Sequence, residues 1–81
     1  MALDVRRSYQ ADQKAKTGEV LGRLEKALKR LPVERNPDQQ IVVEQASNHL
    51  RSGRQLEAEG GWGYAQMHGY IGMGMLQRLN R

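Results

Sequence analysis

A stripe of leucines in the first half of the chain most constrains the fold. Its members, with the apolar residues beside them, are Leu21, Leu24, Leu28, Leu31, Val20 and Ala27. Spacings of three and four residues place these side chains on one face of an α-helix. We expect the helix to begin near residue 8, with Ser8 or Asp12 as its N-cap. Proline cannot continue a helix, so we expect it to end near residue 31, before Pro32.

A second helix is predicted from Asn36 onward. Asn36, Pro37 and Gln39 fit an N-cap, a proline at the first helical position and an amide at the third. Its apolar residues are Ile41, Val42, Val43, Ala46, Leu50 and Leu56. Gly60 and Gly61 end the pattern, which gives a helix over about 37–59. The short connection to the first helix predicts an antiparallel helical hairpin.

The third segment, residues 62–79, is rich in glycine and methionine. On a helix, one face would carry Tyr64, His68, Ile71, Met75 and Leu79, with Ala65 and Gly72 at its flank and Trp62 and Met73 on the other side. We expect the face that carries His68 to be the packed one. Each of its internal glycines costs about 0.5–1 kcal/mol relative to alanine. We therefore expect the hairpin, a second copy or a partner to order this helix. The predicted fold is all-α: a hairpin plus a Gly/Met-rich third helix, in a single domain over 1–81.

This third segment is also the candidate partner-binding surface. Methionine adapts to irregular surfaces, and Trp and Tyr are common interface anchors. The candidate residues are Trp62, Tyr64, Met67, Tyr70, Ile71, Met73 and Met75. The alternative is that they form the third helix of an intramolecular core. Because apolar residues surround so much of this helix, we expect a contact beyond that core.

Two further stripes lie on the first helix. Small residues occupy one of them, namely Ala11, Ala15, Gly18 and Gly22, and predict either close packing of another helix or tolerated exposed glycines. Basic residues occupy the other, namely Lys16, Arg23, Lys26 and Arg30. Together with Arg6 and Arg7, and a net charge of +4, they could contact phosphates or an acidic protein surface. The alternative is an ordinary solvated face.

No pattern of catalytic or metal-binding residues stands out. The chain has no cysteine, and neither His49 nor His68 has a second ligand at metal-binding spacing along the sequence. No Ser-His-Asp order or paired-carboxylate pattern is present. We therefore expect a non-enzymatic protein without metal or cofactor. No apolar run reaches the roughly 18 residues of a membrane span, and we expect a cytoplasmic or virion-associated location.

One family resemblance covers about residues 20–58. The order from Leu24 to Leu31, a short break and a second helix opening at Pro37-Asp38-Gln39-Gln40 resembles the hairpin co-chaperones of type III secretion needle subunits. The glycine-rich third segment has no counterpart in this resemblance. The expected function is protein–protein interaction, as an adaptor, co-chaperone or inhibitor of the kind that phages and mobile elements encode. The alternatives are a nucleic-acid-associated protein and a small structural subunit of a virion or secretion apparatus.

Overall fold

The fold consists of three α-helices. The computed structural model describes residues 2–79, with side-chain exposure described for residues 7–79. The helices are α1 (Ala2–Lys29), α2 (Pro37–Ala58) and α3 (Trp62–Leu79), and residues 2–79 contain no strand. The prediction of an all-α fold with a helical third segment is confirmed.

The predicted start of α1 is wrong. The helix begins at Ala2, so Ser8 and Asp12 lie inside it and cap nothing. The reason is that no glycine or proline interrupts residues 2–17, and a Ser or Asp in a continuing helix is only mildly unfavourable. Residues 7–12 are all exposed, so this part of α1 extends beyond the packed bundle, and the molecule is 55 Å long. At its other end, α1 stops at Lys29, two residues before the predicted end.

Both ends of α2 are fixed by the local interactions that the sequence predicts. Asn36 Oδ1 accepts from the Gln39 backbone N–H at 2.8 Å, and Gln39 Oε1 accepts from the Asn36 backbone N–H at 3.0 Å. This reciprocal capping box satisfies two N–H groups that the first turn leaves without helical partners. At the end of α2, Gly60 takes a φ of +81° and Gly61 N–H donates to the Leu56 carbonyl at 2.8 Å. A positive φ strongly favours glycine, so Gly60 terminates α2 in a Schellman motif.

The contacts between helices define their directions. Glu25 of α1 meets Arg54 of α2, while Gly18 lies beside Glu57, so α1 and α2 are antiparallel as predicted. His49 of α2 meets His68 of α3, and Gly53 of α2 lies beside Ala65 of α3, so α2 and α3 are antiparallel as well. The most extensive contact is between α2 and α3, and the least extensive is between α1 and α2. The third helix therefore lies on the hairpin and joins its two arms, rather than forming a separate tail.

Apolar side chains of α1 pack against glycines of α2 and α3. A Cβ at Gly69 would lie 2.5 Å from Val20 Cγ1, and one at Gly72 would lie 2.7 Å from Leu24 Cδ2. On α2, a Cβ at Gly53 would lie 2.6 Å from Leu21 Cδ2. Real Cβ atoms do not approach other atoms this closely, so the three apolar side chains fill space that only glycine leaves. Leu21 and Leu24 are completely buried as a result.

The predicted packed face of α3 is therefore wrong. The buried residues of α3 are Ala65, Gln66, Gly69, Gly72 and Leu76, whereas Tyr64 and Ile71 are exposed. At 3.6 residues per turn, the true packed face lies about 90° from the predicted one. The prediction followed the large apolar residues, but α3 turns its small residues inward because the α1 side chains need that space. Leu24, Ala46 and Leu76, one residue from each helix, form the centre of the hydrophobic core.

Two glycine-to-alanine substitutions in the same helix test this packing. Gly69→Ala adds a methyl group against Val20, and overpacking of this kind costs about 1–3 kcal/mol, more than the gain in helix propensity of about 0.5–1 kcal/mol. The free energy of unfolding is expected to fall. Gly74→Ala is the matched control, because a Cβ there meets no atom within 4 Å. That variant is expected to gain about 0.5–1 kcal/mol. Urea denaturation at low protein concentration measures both, and equal effects of the two substitutions would contradict the packing described.

Candidate functional site

The solvent-exposed side of α3 carries large apolar side chains. Tyr64 is 68% exposed, Tyr70 51%, Met67 45% and Ile71 40%. At 100° per residue these four side chains share one side of the helix, opposite Ala65, Gly69 and Leu76. We call the four residues, together with Gly63 before them and Gly74 after them on the same side, the outer face of α3. Contiguous exposed apolar groups of this kind mark interaction sites more often than scattered ones do.

The outer face is nearly free of charge. Helix α3 contains no Asp, Glu or Lys, and Arg78 in its last turn is its one Arg. A Cβ at Gly63 or Gly74 would stand in open space. Packing within residues 2–79 therefore requires Gly53, Gly69 and Gly72 but not these two. The pattern is typical of a surface that another backbone approaches closely.

The structure divides the seven predicted partner-binding residues into two groups. Tyr64, Met67, Tyr70 and Ile71 lie on the outer face. Trp62, Met73 and Met75 are half-buried, and both methionines pack against the core around Leu24 and Leu76. The first group is available to a partner over much of its surface. In the second group, the two methionines help to hold α3 on the hairpin.

A buried amide that the sequence did not reveal fixes the position of α3 on α1. Gln66 Nε2 donates to Gln13 Oε1 and to Thr17 Oγ1, both at 3.0 Å. Thr17 Oγ1 in turn donates to the Gln13 backbone carbonyl at 2.6 Å. Buried polar groups need such partners, and a shift of α3 by one residue would leave them unpaired. This register determines which side of α3 faces solvent.

Two histidines that lie 19 residues apart in sequence meet between α2 and α3. Their Nδ1 atoms are 2.9 Å apart, the ring centroids are 5.1 Å apart and the ring planes are inclined by 36°. Both side chains are half-buried. Burial, with a smaller contribution from the charge on His68, lowers the pKa of His49 below its ordinary value of 6.5. From the sequence each histidine was expected to stand alone, because the pairing depends on the antiparallel alignment of the two helices.

The small-residue stripe of α1 does not pack another helix as a whole. Ala11 and Ala15 are exposed, and a Cβ at Gly22 would meet no atom within 4 Å. Only Gly18 approaches another helix, where the Glu57 carboxylate would lie 3.6 Å from its Cβ. The stripe therefore fits the alternative of tolerated glycines on an accessible face, and the close packing between helices is made by glycines of α2 and α3.

The predicted basic residues remain on the surface of α1. Lys16, Arg23, Lys26 and Arg30 are accessible to solvent, and so is Arg7, whereas the side chain of Arg6 lies outside the described residues. Arg23 pairs with Glu19 one turn earlier, at 2.7 Å. Such an exposed pair contributes only about 0–1 kcal/mol to stability. The basic face is therefore solvated and partly neutralised by Glu19.

An ion-pair cluster links α1 to α2. Arg54 contacts Glu25 and Glu57, each at 3.0 Å, and Lys29 lies 3.4 Å from Glu25. Hydrogen bonds from Arg54 and then from Lys29 lower the pKa of the Glu25 carboxyl. The groups lie near the surface, so the cluster aligns the two helices more than it stabilises them.

The described residues offer little else that could serve as a chemical site. A cleft lined by Leu31, Pro32, Glu34, Arg35, Gln39 and Leu79 encloses about 140 Å³. That is below the roughly 300–1,000 Å³ of typical small-molecule pockets. Within residues 2–79, no three His, Cys, Asp or Glu residues come together as metal ligands. None of the three helices, as far as they are described, has an apolar stretch that could cross a bilayer.

Comparison with protein-family models, with curated proteins and with solved structures gives no match to this chain. Any statement about its activity therefore depends on the surfaces described above. Of these surfaces, the outer face of α3 has the clearest feature of an interaction site, a set of exposed apolar side chains.

The histidine pair gives a pH prediction. Because the pKa of His49 is lower in the folded protein than in the unfolded chain, the unfolded chain binds more protons near pH 6. The contribution of neutral His49 to stability is present above pH 6.5 and is lost as the pH falls through its lowered pKa. The free energy of unfolding is thus expected to decrease between about pH 7 and about pH 5.

Urea denaturation across this range measures the effect, with His49→Gln as the comparison. The variant is expected to show a smaller decrease, because its side chain does not titrate. The lowered pKa of the Glu25 carboxyl changes the stability only below pH 4.5, its ordinary value. It therefore does not affect the range between pH 7 and pH 5. An identical pH dependence in the two proteins would show that His49 does not carry the effect.

Proposed function

We propose that this protein is a non-enzymatic protein–protein interaction module that docks through the outer face of α3. The observation that supports this is the exposure of Tyr64, Met67, Tyr70 and Ile71 on a helix whose small residues face inward. Aromatic residues and methionine are enriched at the centres of interfaces, where charged residues are depleted. The outer face has this composition.

The partner that this surface fits best is a second copy of the chain. The protein carries a net charge of +4, and accessible basic residues lie along α1, so contact through α1 would bring like charges together. The outer face of α3 has only Arg78 near its end. Two copies can approach there with little electrostatic repulsion.

The order of residues along the outer face also favours self-association. Gly63, Met67, Tyr70 and Gly74 are spaced by four, three and four residues, an order of small and large side chains that is the same from either end. In an antiparallel pair of α3 helices, each Gly63 would lie opposite Gly74 and each Met67 opposite Tyr70. A two-fold dimer needs this kind of self-complementary surface, and it is the commonest symmetry of soluble oligomers. The glycines would let the two backbones approach closely.

A self-associating module fits the role of a small subunit in a larger assembly. An adaptor, co-chaperone or inhibitor would use the same face for a different protein. A phage-encoded origin and a cytoplasmic or virion-associated location stay predictions of the sequence. The oligomeric state distinguishes a self-associating subunit from an adaptor, co-chaperone or inhibitor that binds a different protein.

Light scattering across a dilution series of the full chain tests the proposal. The wild-type protein is expected to dissociate from dimer to monomer on dilution. Tyr70→Glu, which places a charge in the centre of the outer face, is expected to be monomeric throughout. Ile41→Glu is the matched control, because Ile41 is 53% exposed, close to the 51% of Tyr70, but lies on α2. Circular dichroism verifies that each variant is folded.

Gly74→Ala adds an independent check. This substitution favours the helix of the monomer but places a methyl group between the paired helices. The variant is expected to dissociate at a higher concentration than the wild-type protein. A wild-type chain that is monomeric at every concentration would exclude the second copy as partner. If Tyr70→Glu and Ile41→Glu changed the oligomeric state equally, the outer face would be excluded as the contact between the two copies.

Nucleic-acid binding is the second candidate, favoured by the accessibility of Lys16, Arg23, Lys26 and Arg30 on α1. Four phosphate contacts on duplex DNA predict that log K falls with log salt concentration with a slope of about −3 to −4. Replacing Lys26 with Gln is expected to reduce that slope by about 1. Fluorescence anisotropy with a labelled duplex measures both quantities. Absence of binding at low salt would remove this candidate.

A further inference from the structure

His49 of α2 and His68 of α3 meet head to head. Their Nδ1 atoms are 2.9 Å apart, and the ring centroids are 5.1 Å apart. The second distance exceeds the first by about the width of one imidazole ring, so both nitrogens lie close to the line between the ring centres. This is the geometry of a single hydrogen bond, with one proton between the two nitrogens. Gly53, one turn after His49, allows the approach, because a Cβ there would lie 2.6 Å from Leu21 Cδ2 and 3.6 Å from His68 Cβ.

A first added proton leaves this hydrogen bond in place. In the neutral pair, the donor ring carries its proton on Nδ1 and has a bare Nε2, whereas the acceptor ring has a bare Nδ1 and carries its proton on Nε2. The first added proton can bind the bare Nε2 of the donor ring. The donor is then an imidazolium, and hydrogen bonds from a charged donor are shorter and stronger than those between neutral groups. The first proton therefore strengthens the contact between α2 and α3.

A second added proton has the opposite effect. The one bare nitrogen that remains is the Nδ1 that accepts the hydrogen bond. Its protonation removes the acceptor and directs two N–H groups and two positive charges at each other across 2.9 Å. Both side chains are half-buried, which limits the screening of this repulsion by water. The rings must then separate, so the second proton acts against the contact between α2 and α3.

The two rings differ in the order in which they take up protons. Burial, followed by the charge on His68, lowers the pKa of His49, so His49 takes up its proton last. His49 is therefore the acceptor, with its own proton on Nε2, and His68 is the donor. Where the unfolded chain binds two protons, the folded pair binds one, in agreement with the expected fall in stability between about pH 7 and about pH 5.

The surroundings of the pair contribute no competing charge. Of the side chains three or four positions from either histidine on its own helix, only Tyr64 is titratable, and a phenol stays neutral in acid. From α1, the side chain that lies against this part of α2 is the apolar Leu21. Glu25 of α1 and Arg54 of α2 pair with each other. Among the described residues, the one charge that affects the pKa of His49 is that of its partner ring.

The other side of α3, which packs on α1, is held by neutral groups. Val20 packs against Gly69, and Gln66 donates a hydrogen bond to Thr17 at 3.0 Å. None of these four side chains changes its charge in acid. Acid therefore acts on the α2 side of α3 and leaves the α1 side in place.

We propose that His49 and His68 form a two-step proton switch between α2 and α3. The first proton charges His68 and strengthens the hydrogen bond. The second, on His49 Nδ1, breaks it and moves this part of α3 away from α2, while α3 stays on α1. The helix that carries the outer face thus has an acid-dependent attachment to the hairpin, and this inference does not depend on the docking proposed above.

Nuclear magnetic resonance of the full chain tests the order of the two protons. At neutral pH, the ¹⁵N shifts of the rings are expected to place the proton of His68 on Nδ1 and that of His49 on Nε2. On acidification, the rings are expected to titrate in two steps separated by at least about one pH unit, with His49 second. Two histidines that titrate together, or His49 protonating before His68, would overturn the proposal.

The contacts between the helices are followed in the same titration. Nuclear Overhauser contacts between Gly53 and His68 are expected to disappear in the second step, whereas those between Val20 and Gly69 are expected to persist. Loss of both contacts in one step would indicate unfolding of the whole bundle and would contradict a local switch. The wild-type titration is decisive by itself, because it requires no substitution.

His49→Gln is the matched variant, because its amide is polar and does not titrate. It is expected to show a single titration step, that of His68, and to keep the contact between Gly53 and His68 throughout. Circular dichroism establishes that the variant is folded. Loss of this contact in the variant at the same pH as in the wild-type protein would show that the second proton on His49 is not the cause.

Discussion

The structure depends on the contact between branched side chains of α1 and glycines of the other two helices. Val20 and Leu24 enter the space left at Gly69 and Gly72, and Leu21 enters the space left at Gly53. Small residues on one helix allow close approach of another, and the dispersion attraction between the closely packed atoms offsets the low helix propensity of glycine. This explains how a helix with four internal glycines remains ordered. It also explains why α3, and not the α1–α2 contact, joins the bundle together.

The composition of the exposed side of α3 follows from the same packing of α1 side chains against glycines. Once the small residues of α3 face α1, its tyrosines and Ile71 must face solvent, and the Gln66–Thr17 hydrogen bond fixes that rotation. The apolar character of the outer face is thus a consequence of how the core is built. Gly63 and Gly74 are different, because no neighbour in the described residues needs their missing side chains. Their presence on the exposed side is what favours a close contact with another helix over a merely tolerated apolar surface.

The sequence predicted those elements whose signals are local. The capping box at Asn36, the glycine termination at Gly60 and the leucine stripe all involve residues within a few positions of one another, and each is confirmed. The prediction failed where the outcome depends on contacts between helices. Large apolar residues were expected to define the buried face of α3, yet the side chains of α1 require small ones there. The pairing of His49 with His68 could not be predicted either, because it depends on the antiparallel alignment of α2 and α3.

A double-mutant cycle between Val20 and Gly69 tests the central contact most directly. Unfolding free energies would be measured for the wild-type chain, Gly69→Ala, Val20→Ala and the double variant. Shortening Val20 removes the Cγ1 atom that the new methyl group would meet at 2.5 Å. We expect Gly69→Ala to destabilise the protein in the presence of Val20 and much less in its absence, with a coupling of about 0.5–3 kcal/mol. Additive effects of the two substitutions would show that these residues do not pack as described.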